Sequence, residues 1–118
     1  MSIEKEKLVV IYDRFATEPL SDNKLTKRTN KLVKLAKQHG YTPVKTYTDV
    51  ASGTINPFKR HQFSKLVSDL PTTKPTAVII SDHTRITRSF SDLFTTILWL
   101  QVKGVELITM NDYKGVTK

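Results

Sequence analysis

The sequence contains no cysteine among its 118 residues. This absence excludes disulfides, thiolate metal sites and thiol catalysis, and it fits a reducing compartment. No apolar run approaches the roughly 20 residues that a helix needs to cross a bilayer. The charged start Met1–Lys7 lacks the apolar centre of a signal peptide. We therefore predict a cytoplasmic protein with no membrane partner.

Acidic side chains are scarce relative to basic ones. The chain has 19 Lys and Arg against 11 Asp and Glu, which gives a formal net charge of +8. Such an excess favours polyanions such as nucleic acid, although a solvated basic surface produces the same balance. The lysines concentrate in residues 24–37, whereas several arginines stand elsewhere, at segment ends. Because a planar guanidinium suits phosphate, the arginines are the better candidates for DNA contacts.

Other ligand patterns are also missing. The three histidines have no metal-ligand spacing, and no carboxylate pair suits magnesium. A glycine-rich phosphate loop of the nucleotide-binding kind does not occur in the sequence. We therefore predict neither a metal nor a cofactor.

Short apolar segments alternate with amphipathic ones. We predict helices at Lys24–His39, Pro57–Leu70 and Ser89–Lys103, a turn at Pro71–Pro75, and strands at Leu8–Tyr12, Val44–Thr48, Thr76–Ile80 and Val105–Met110. This order predicts an α/β fold: a single three-layer domain with a mainly parallel four- or five-stranded sheet and helices on both faces. We assign residues 1–7 to a lead-in, 8–112 to the domain and 113–118 to a tail, and we expect no DNA-binding domain.

Three polar segments follow predicted strands, namely Asp13–Thr17, Asp49–Asn56 and Ser81–Arg88. In parallel sheets the functional crevice lies beyond the carboxyl ends of the strands, so these segments should meet there. Arg14, Arg85 and Arg88 could then surround a phosphoryl group and stabilise its charge. Equally, Arg14 could be a solvated loop residue, and the other two arginines could cap carbonyls or pair with Asp82 or Asp92.

The loop after the second predicted strand is a further candidate. Backbone amides around Ser52-Gly53 could accept an anion, and Arg60 follows near the start of a helix. An ordinary turn is the alternative interpretation of Ser52-Gly53.

Six segments occur in a characteristic order along residues 8–112. They are Tyr12-Asp-Arg-Phe-Ala-Thr17, His39-Gly-Tyr41, Tyr47-Thr-Asp-Val-Ala-Ser-Gly53, Arg60-His-Gln-Phe-Ser-Lys-Leu66, Thr84-Arg-Ile-Thr-Arg88 and Lys103-Gly-Val-Glu-Leu-Ile. In order and spacing they resemble the catalytic domain of the serine recombinases, the resolvase/invertase family. The family versions include Tyr-x-Arg-Val/Phe-Ser-Thr for the first and Asp-Arg-Leu-x-Arg for the fifth.

The resemblance implies site-specific DNA strand exchange without metal or cofactor. A serine attacks a DNA phosphodiester and forms a covalent link, and an arginine cluster stabilises the phosphate. By position, Arg14, Arg85 and Arg88 correspond to that cluster. Arg60 corresponds to a supporting phosphate contact, and Ser52 and Thr17 are further candidates for phosphate binding.

The chain departs from the family pattern at decisive positions. Ala16 occupies the place of the nucleophilic serine, and Thr84 replaces the acidic residue of the fifth motif, although Asp82 is nearby. The family's first-helix glutamine falls near Arg28. Thr17 matches the family's own non-nucleophilic threonine, and its side chain should point to the opposite face of the strand. The long dimer helix and the DNA-binding domain of these enzymes do not fit in the sequence.

Three functions are compatible with these observations. The first is a recombinase-like domain that cannot cleave DNA and instead binds DNA phosphates weakly and non-specifically, binds a partner recombinase, or self-associates. The second is a fragment of an active serine recombinase, with Ala16 introduced to trap an inactive form or with a displaced nucleophile. The third is a flavodoxin-like interaction domain whose arginines are incidental.

Overall fold

The computed structural model describes residues 7–16 and 22–110, excluding the side chains of residues 22–26. The elements in chain order are β1 (Lys7–Phe15), α1 (Asp22–Gln38), β2 (Tyr41–Val50), a 3₁₀ turn (Pro57–Lys59), α2 (His61–Thr73), β3 (Ala77–Ile80), a second 3₁₀ turn (His83–Arg85), α3 (Phe90–Val102) and β4 (Glu106–Thr109). The predicted tail 113–118 and most of the lead-in 1–7 lie outside the described residues. Lys7 already belongs to β1.

The four strands form one parallel sheet in the order β2-β1-β3-β4. β1 is central, and every residue from Val9 to Phe15 is buried. A strand covered on both faces needs a continuous apolar run rather than an alternating one, which explains its Val-Val-Ile-Tyr sequence. The predicted fold class is confirmed, with four strands among the described residues.

Two apolar cores separate the layers. On one side of the sheet, α2 and α3 cover a cluster built around Tyr12, Phe63 and Leu100. On the other side, α1 packs Leu32 and Ala36 against the opposite face of β1 and β3. Because successive side chains of a strand point to opposite faces, β1 contributes Val10 and Tyr12 to the first core and Val9 and Ile11 to the second.

The second helix differs from its prediction at both ends. Pro57 opens a 3₁₀ turn, with the Asn56 side chain accepting from the Phe58 N–H at 2.9 Å, and α2 begins only at His61. The helix then continues through Pro71 to Thr73, where a turn was predicted. Pro71 lacks the N–H that would bond the Val67 carbonyl, so α2 continues past it with one helical hydrogen bond fewer. The Lys74 N–H still bonds the Leu70 carbonyl at 2.8 Å.

The third helix is apolar around most of its circumference. Leu100 is buried against the sheet, yet four large apolar side chains one turn apart face outward. This α3 stripe consists of Phe90, Phe94, Leu98 and Val102, which are 89%, 65%, 46% and 83% exposed. A continuous exposed apolar patch marks a potential contact surface.

Within residues 7–16 and 22–110, no helix combines the length and the apolar character that a bilayer span requires.

Candidate phosphate-binding site

The carboxyl end of β1 meets the loops that follow β2 and β3. Ala16 comes directly after β1 and its side chain is exposed. Thr17, the neighbouring predicted phosphate contact, lies outside the described residues. The loop residues 51–56 and 81–88 approach the same strand end, through the hydrogen bonds described below. The three polar segments predicted from the sequence are therefore brought together as far as they are described.

Arg14 is completely buried and ties the strand end to both loops. Its Nε and Nη2 donate to the Thr84 carbonyl at 3.1 and 2.7 Å, and its Nη1 donates to the Ala51 carbonyl at 2.9 Å. Burial lowers the pKa of Arg14, and the positive charges of Arg60, Arg85 and Arg88 lower it further. Carbonyl acceptors leave the positive charge of Arg14 uncancelled.

Gly53 allows two of these arginines to approach each other. A Cβ added at Gly53 would lie 2.7 Å from Arg88 Cγ and 3.0 Å from Arg14 Nη2, so a side chain has no room there. The Gly53 carbonyl accepts from the Arg88 N–H at 2.9 Å and from the Thr87 hydroxyl at 3.0 Å. Arg88 itself is exposed and faces solvent beside buried Arg14.

Ser52 and Arg60 occupy different depths of the loop after β2. Ser52 is exposed, and its hydroxyl pairs with the Thr54 hydroxyl at 2.8 Å in a local turn. Arg60 is only 2% exposed, and it donates to the Tyr12 hydroxyl, the Ile55 carbonyl and the Arg85 carbonyl. Its Nε has no hydrogen-bond partner among the described residues. Arg60 thus joins the two loops from beneath, and its direct contact with DNA stays a prediction.

Asp49 organises the same region, although the sequence assigned it no role. Its carboxylate accepts from the Tyr12 hydroxyl at 2.8 Å and from the N–H groups of Gln62 and Phe63 at 2.8 and 2.9 Å. Those amides open α2, whose own N-cap residue Arg60 makes no side-chain capping bond to them, so Asp49 caps the helix from a neighbouring strand. Burial raises the pKa of Tyr12, and the bond to Asp49 adds to the rise.

On the opposite face of β1, the Asp13 carboxylate pairs with two arginines. Arg28 contacts the Asp13 carboxylate through Nε at 2.8 Å and Nη2 at 2.5 Å, and its guanidinium lies 3.8 Å from the Phe15 ring centroid. Arg85 Nε lies 3.7 Å from Asp13 Oδ1, and it also donates to the Ser81 hydroxyl at 3.3 Å. We name this group the Asp13 cluster, consisting of Asp13, Arg28 and Arg85.

Arg85 and Arg88 therefore do not share one set of partners. The sequence spacing suggested that both would face the same side of a helical turn. In the structure the 3₁₀ turn ends at Arg85, and Arg88 instead bonds Gly53. Arg85 also contacts the backbone of β1, because its Nη1 reaches the Arg14 carbonyl at 3.5 Å, to which Arg28 donates as well.

Thr84 stands where the resemblance expects an acidic residue. Its N–H and its hydroxyl both donate to Asp82, which caps the 3₁₀ turn. Burial tends to raise the pKa of Asp82, but the Thr84 hydroxyl and Arg85 outweigh it and leave the pKa low. The Asp82 carboxylate therefore remains ionised and engaged near neutral pH. In the described part of the chain, no group of three or more His, Cys, Asp or Glu residues could hold a metal.

Comparison with known proteins gives one family match and several similar folds. Residues 9–118 match the family model described as Resolvase, N terminal domain. No curated protein sequence matches the chain.

Three solved structures illustrate the similarity in fold. The C-terminal catalytic domain of ISC1926 TnpA, an IS607-like serine recombinase, has a TM-score of 0.76 at 23% identity, covering 92% of this chain and 71% of that chain. The N-terminal catalytic domain of TP901-1 integrase has a TM-score of 0.72 at 25% identity, covering 88% and 78%. A resolvase family site-specific recombinase from Streptococcus pneumoniae has a TM-score of 0.65 at 20% identity, covering 93% and 78%.

Proposed function

Because the chain belongs to the Resolvase, N terminal domain family, we propose that it is a recombinase-like domain that binds DNA phosphates without cutting the strand. One observation carries this proposal: Ala16 stands at the exposed end of β1, two residues after buried Arg14. A methyl group has no lone pair to attack phosphorus, and a covalent route offers no substitute for the missing oxygen. The arginines keep the capacity to bind the substrate.

The charge distribution supports phosphate binding. The Arg14 guanidinium donates to carbonyl groups, which do not neutralise its charge. That charge therefore adds to the charge of exposed Arg88 beside it. A net charge of +8 on the chain attracts DNA over a longer range. We expect affinity that is weak, independent of sequence and strongly dependent on salt.

The α3 stripe supports a second part of the proposal, namely association with another copy or with a partner recombinase. Its four exposed apolar residues follow one another at single helical turns, on a face that no described element covers. Phe94→Asp, at the centre of the stripe, should abolish any dimer seen by sedimentation equilibrium. Lys103→Gln, beyond the end of α3, should leave the oligomeric state unchanged.

Strand cleavage is tested by incubating supercoiled plasmid with the native chain and with Ala16→Ser. Denaturing electrophoresis then reveals any covalent protein–DNA adduct. We expect no nicking and no adduct from the native chain, and an adduct from native protein would refute the proposal. Val44→Thr is a matched control, because it adds a hydroxyl at an exposed position near the start of β2, at the end of the sheet away from Ala16.

Adduct formation by Ala16→Ser would mean that the nucleophile alone is missing, as in the alternative of a disabled catalytic fragment. Binding without adduct in that variant would mean that the Thr84 departure disables cleavage as well.

Phosphate binding is tested by fluorescence anisotropy with a labelled DNA duplex across a salt series. Arg88→Gln should weaken binding and reduce the slope of log K against log salt by about 0.9, the value for one lost phosphate contact. Lys103→Gln removes the same charge at the other end of α3 and should change the affinity much less. Equal losses in both variants, or no binding by the native chain at low salt, would favour the third function, an interaction domain with incidental arginines.

A further inference from the structure

Arg85 is held on the side of β1 that faces away from Arg14 and Arg88. Its Nε lies 3.7 Å from Asp13 Oδ1 and 3.8 Å from Asp82 Oδ2, and it donates to the Ser81 hydroxyl. By contrast, the Arg14 guanidinium donates to carbonyl groups on the other side, and the Arg88 side chain lies beside it at Gly53. One arginine of the predicted phosphate cluster is therefore paired with carboxylates, and the other two are not.

Asp13 is the stronger of the two carboxylates that hold Arg85. The Asp13 side chain is 2% exposed, whereas the Asp82 side chain is 40% exposed. An ion pair is screened much less in a buried position than at a solvated surface. Asp82 is also engaged by the backbone and hydroxyl of Thr84. Asp13 has its own partner in Arg28, which fixes the carboxylate in place.

Arg85 nevertheless reaches the backbone of the strand that separates the two faces. Its Nη1 is 3.5 Å from the Arg14 carbonyl, and its side chain is 25% exposed. A guanidinium on a flexible stem can exchange a carboxylate for a phosphate by rotating its side chain, provided that the carboxylate releases it. The position of Asp13 thus controls how many arginines are available to DNA.

We propose that Asp13 is a positioning residue that withholds Arg85 from the phosphate site formed by Arg14 and Arg88. Asp13 acts through Arg85 and does not itself contact DNA. This inference rests on the proposed function, because it supposes that the domain binds DNA phosphates. It adds that the domain binds DNA with fewer arginines than its sequence contains at the site.

The test compares Asp13→Asn, Arg85→Gln and their combination by duplex anisotropy over a salt series. Asp13→Asn keeps the shape of the side chain but loses its charge, so Arg85 becomes available. We expect about tenfold tighter binding, typical of one added hydrogen bond between charged groups, and a slope steeper by about 0.9. The double variant should lose this gain. Arg85→Gln should cost more affinity in the Asp13→Asn background than in the native one.

Glu106→Gln is the matched control, because it removes one negative charge from an exposed position at the start of β4, the opposite end of the sheet. It should leave the salt slope unchanged. An equal gain from Glu106→Gln, or a gain in Asp13→Asn that survives the loss of Arg85, overturns the proposal.

The comparison between Arg85→Gln and Arg88→Gln gives a second test that does not require Asp13→Asn to fold. Arg85→Gln should cost less affinity than Arg88→Gln in the native chain, and an equal cost overturns the inference. If native protein binds DNA through Arg88 but Asp13→Asn gains nothing, the inference fails and the proposed function stands. If native protein does not bind DNA at low salt, the proposed function fails first.

Discussion

The arginines on the two faces of β1 have different hydrogen-bond and ion-pair partners. On the face that contains Tyr12 and Arg14, the guanidinium groups donate to backbone carbonyls. On the face that contains Asp13 and Phe15, Arg28 and Arg85 share one buried carboxylate. Successive side chains of a strand point to opposite faces. Neighbouring residues of β1 therefore lie in two different electrostatic environments, one with carbonyl acceptors and one with a carboxylate.

The difference in partners decides whether the charge of an arginine is available to a ligand or contributes to the stability of the fold. Carbonyl partners fix the orientation of a guanidinium while leaving its charge to act on a phosphate. A carboxylate partner neutralises that charge, and the resulting ion pair stabilises the fold. Under the proposed function, arginine serves phosphate binding on one face and stabilisation on the other, and substitutions on each face should have separable consequences.

Removing Asp49 should damage the Arg14 face most. Asp49→Ala leaves the Tyr12 hydroxyl and the first amides of α2 without their acceptor. Loss of a helix cap together with unpaired buried donors should lower the free energy of unfolding by about 3 kcal/mol. Urea denaturation monitored by circular dichroism measures this change.

Asp69→Ala is the control for that substitution. Asp69 also accepts a tyrosine hydroxyl, that of Tyr47 at 2.8 Å, and it pairs with Lys45 near the surface. Because exposed ion pairs contribute little, its loss should lower the free energy of unfolding much less than the loss of Asp49. Similar losses for the two variants would show that Asp49 does not cap α2 in solution.

Removing the partner of Asp13 should affect the stability of the other face. Arg28→Gln leaves the buried carboxylate with the Arg14 backbone N–H and the longer contact to Arg85, and it removes the guanidinium stacked on Phe15. We expect a loss of about 2 kcal/mol, below the usual range for a fully buried pair because Arg28 is partly exposed. Lys27→Gln, an exposed neighbour on α1, should be nearly neutral in the same urea experiment.

Sequence reasoning could predict one of the two faces and not the other. Apolar runs and their alternation with amphipathic segments were enough for the parallel sheet and its crevice, because burial on both faces leaves a visible pattern. Motif spacing predicted that Arg14 and Arg88 lie together at the end of β1, and their contact with phosphate stays a prediction. Asp13 and Arg28 were missed as a pair, since the ion pair joins a strand to a helix and no local periodicity reports such a contact.

The errors in the helices have a similar origin. Pro71 suggested a turn, but packing of Leu66 and Leu70 against the sheet outweighs a proline in the last helical turn. The apolar residues of α3 indicated a helix correctly. Their distribution could not tell which side would face the sheet, because large apolar residues lie both on the side that is buried and on the side that is exposed.

The close contact at Gly53 offers a sharper test of the Arg14 face. In Gly53→Ala the new methyl group would overlap Arg88 Cγ and press on Arg14 Nη2, so Arg88 must move. Such overpacking should cost about 1 kcal/mol of stability, because a flexible side chain can yield, while duplex affinity should fall together with the salt slope. Thr54→Ala, at an exposed position of the same loop, should change neither. Unchanged DNA binding in Gly53→Ala would argue against a phosphate contact by Arg88.

The last expected effect is confined to alkaline pH, where native protein and Tyr12→Phe should differ in how steeply stability declines. Burial raises the pKa of Tyr12, so above about pH 10 the unfolded chain releases a proton that the folded state retains. The contribution of Tyr12 to stability is therefore complete below that pH and declines as the pH rises. Replacing Tyr12 by Phe should make the decline shallower by up to about 1.4 kcal/mol per pH unit, measured by urea unfolding between pH 9 and 11. Tyr47→Phe, whose phenol also has a pKa raised by burial, should give a similar change away from the site. If only Tyr47→Phe flattens the curve, the Tyr12 hydroxyl is solvated and the network linking it to Asp49 and Arg60 does not persist in solution.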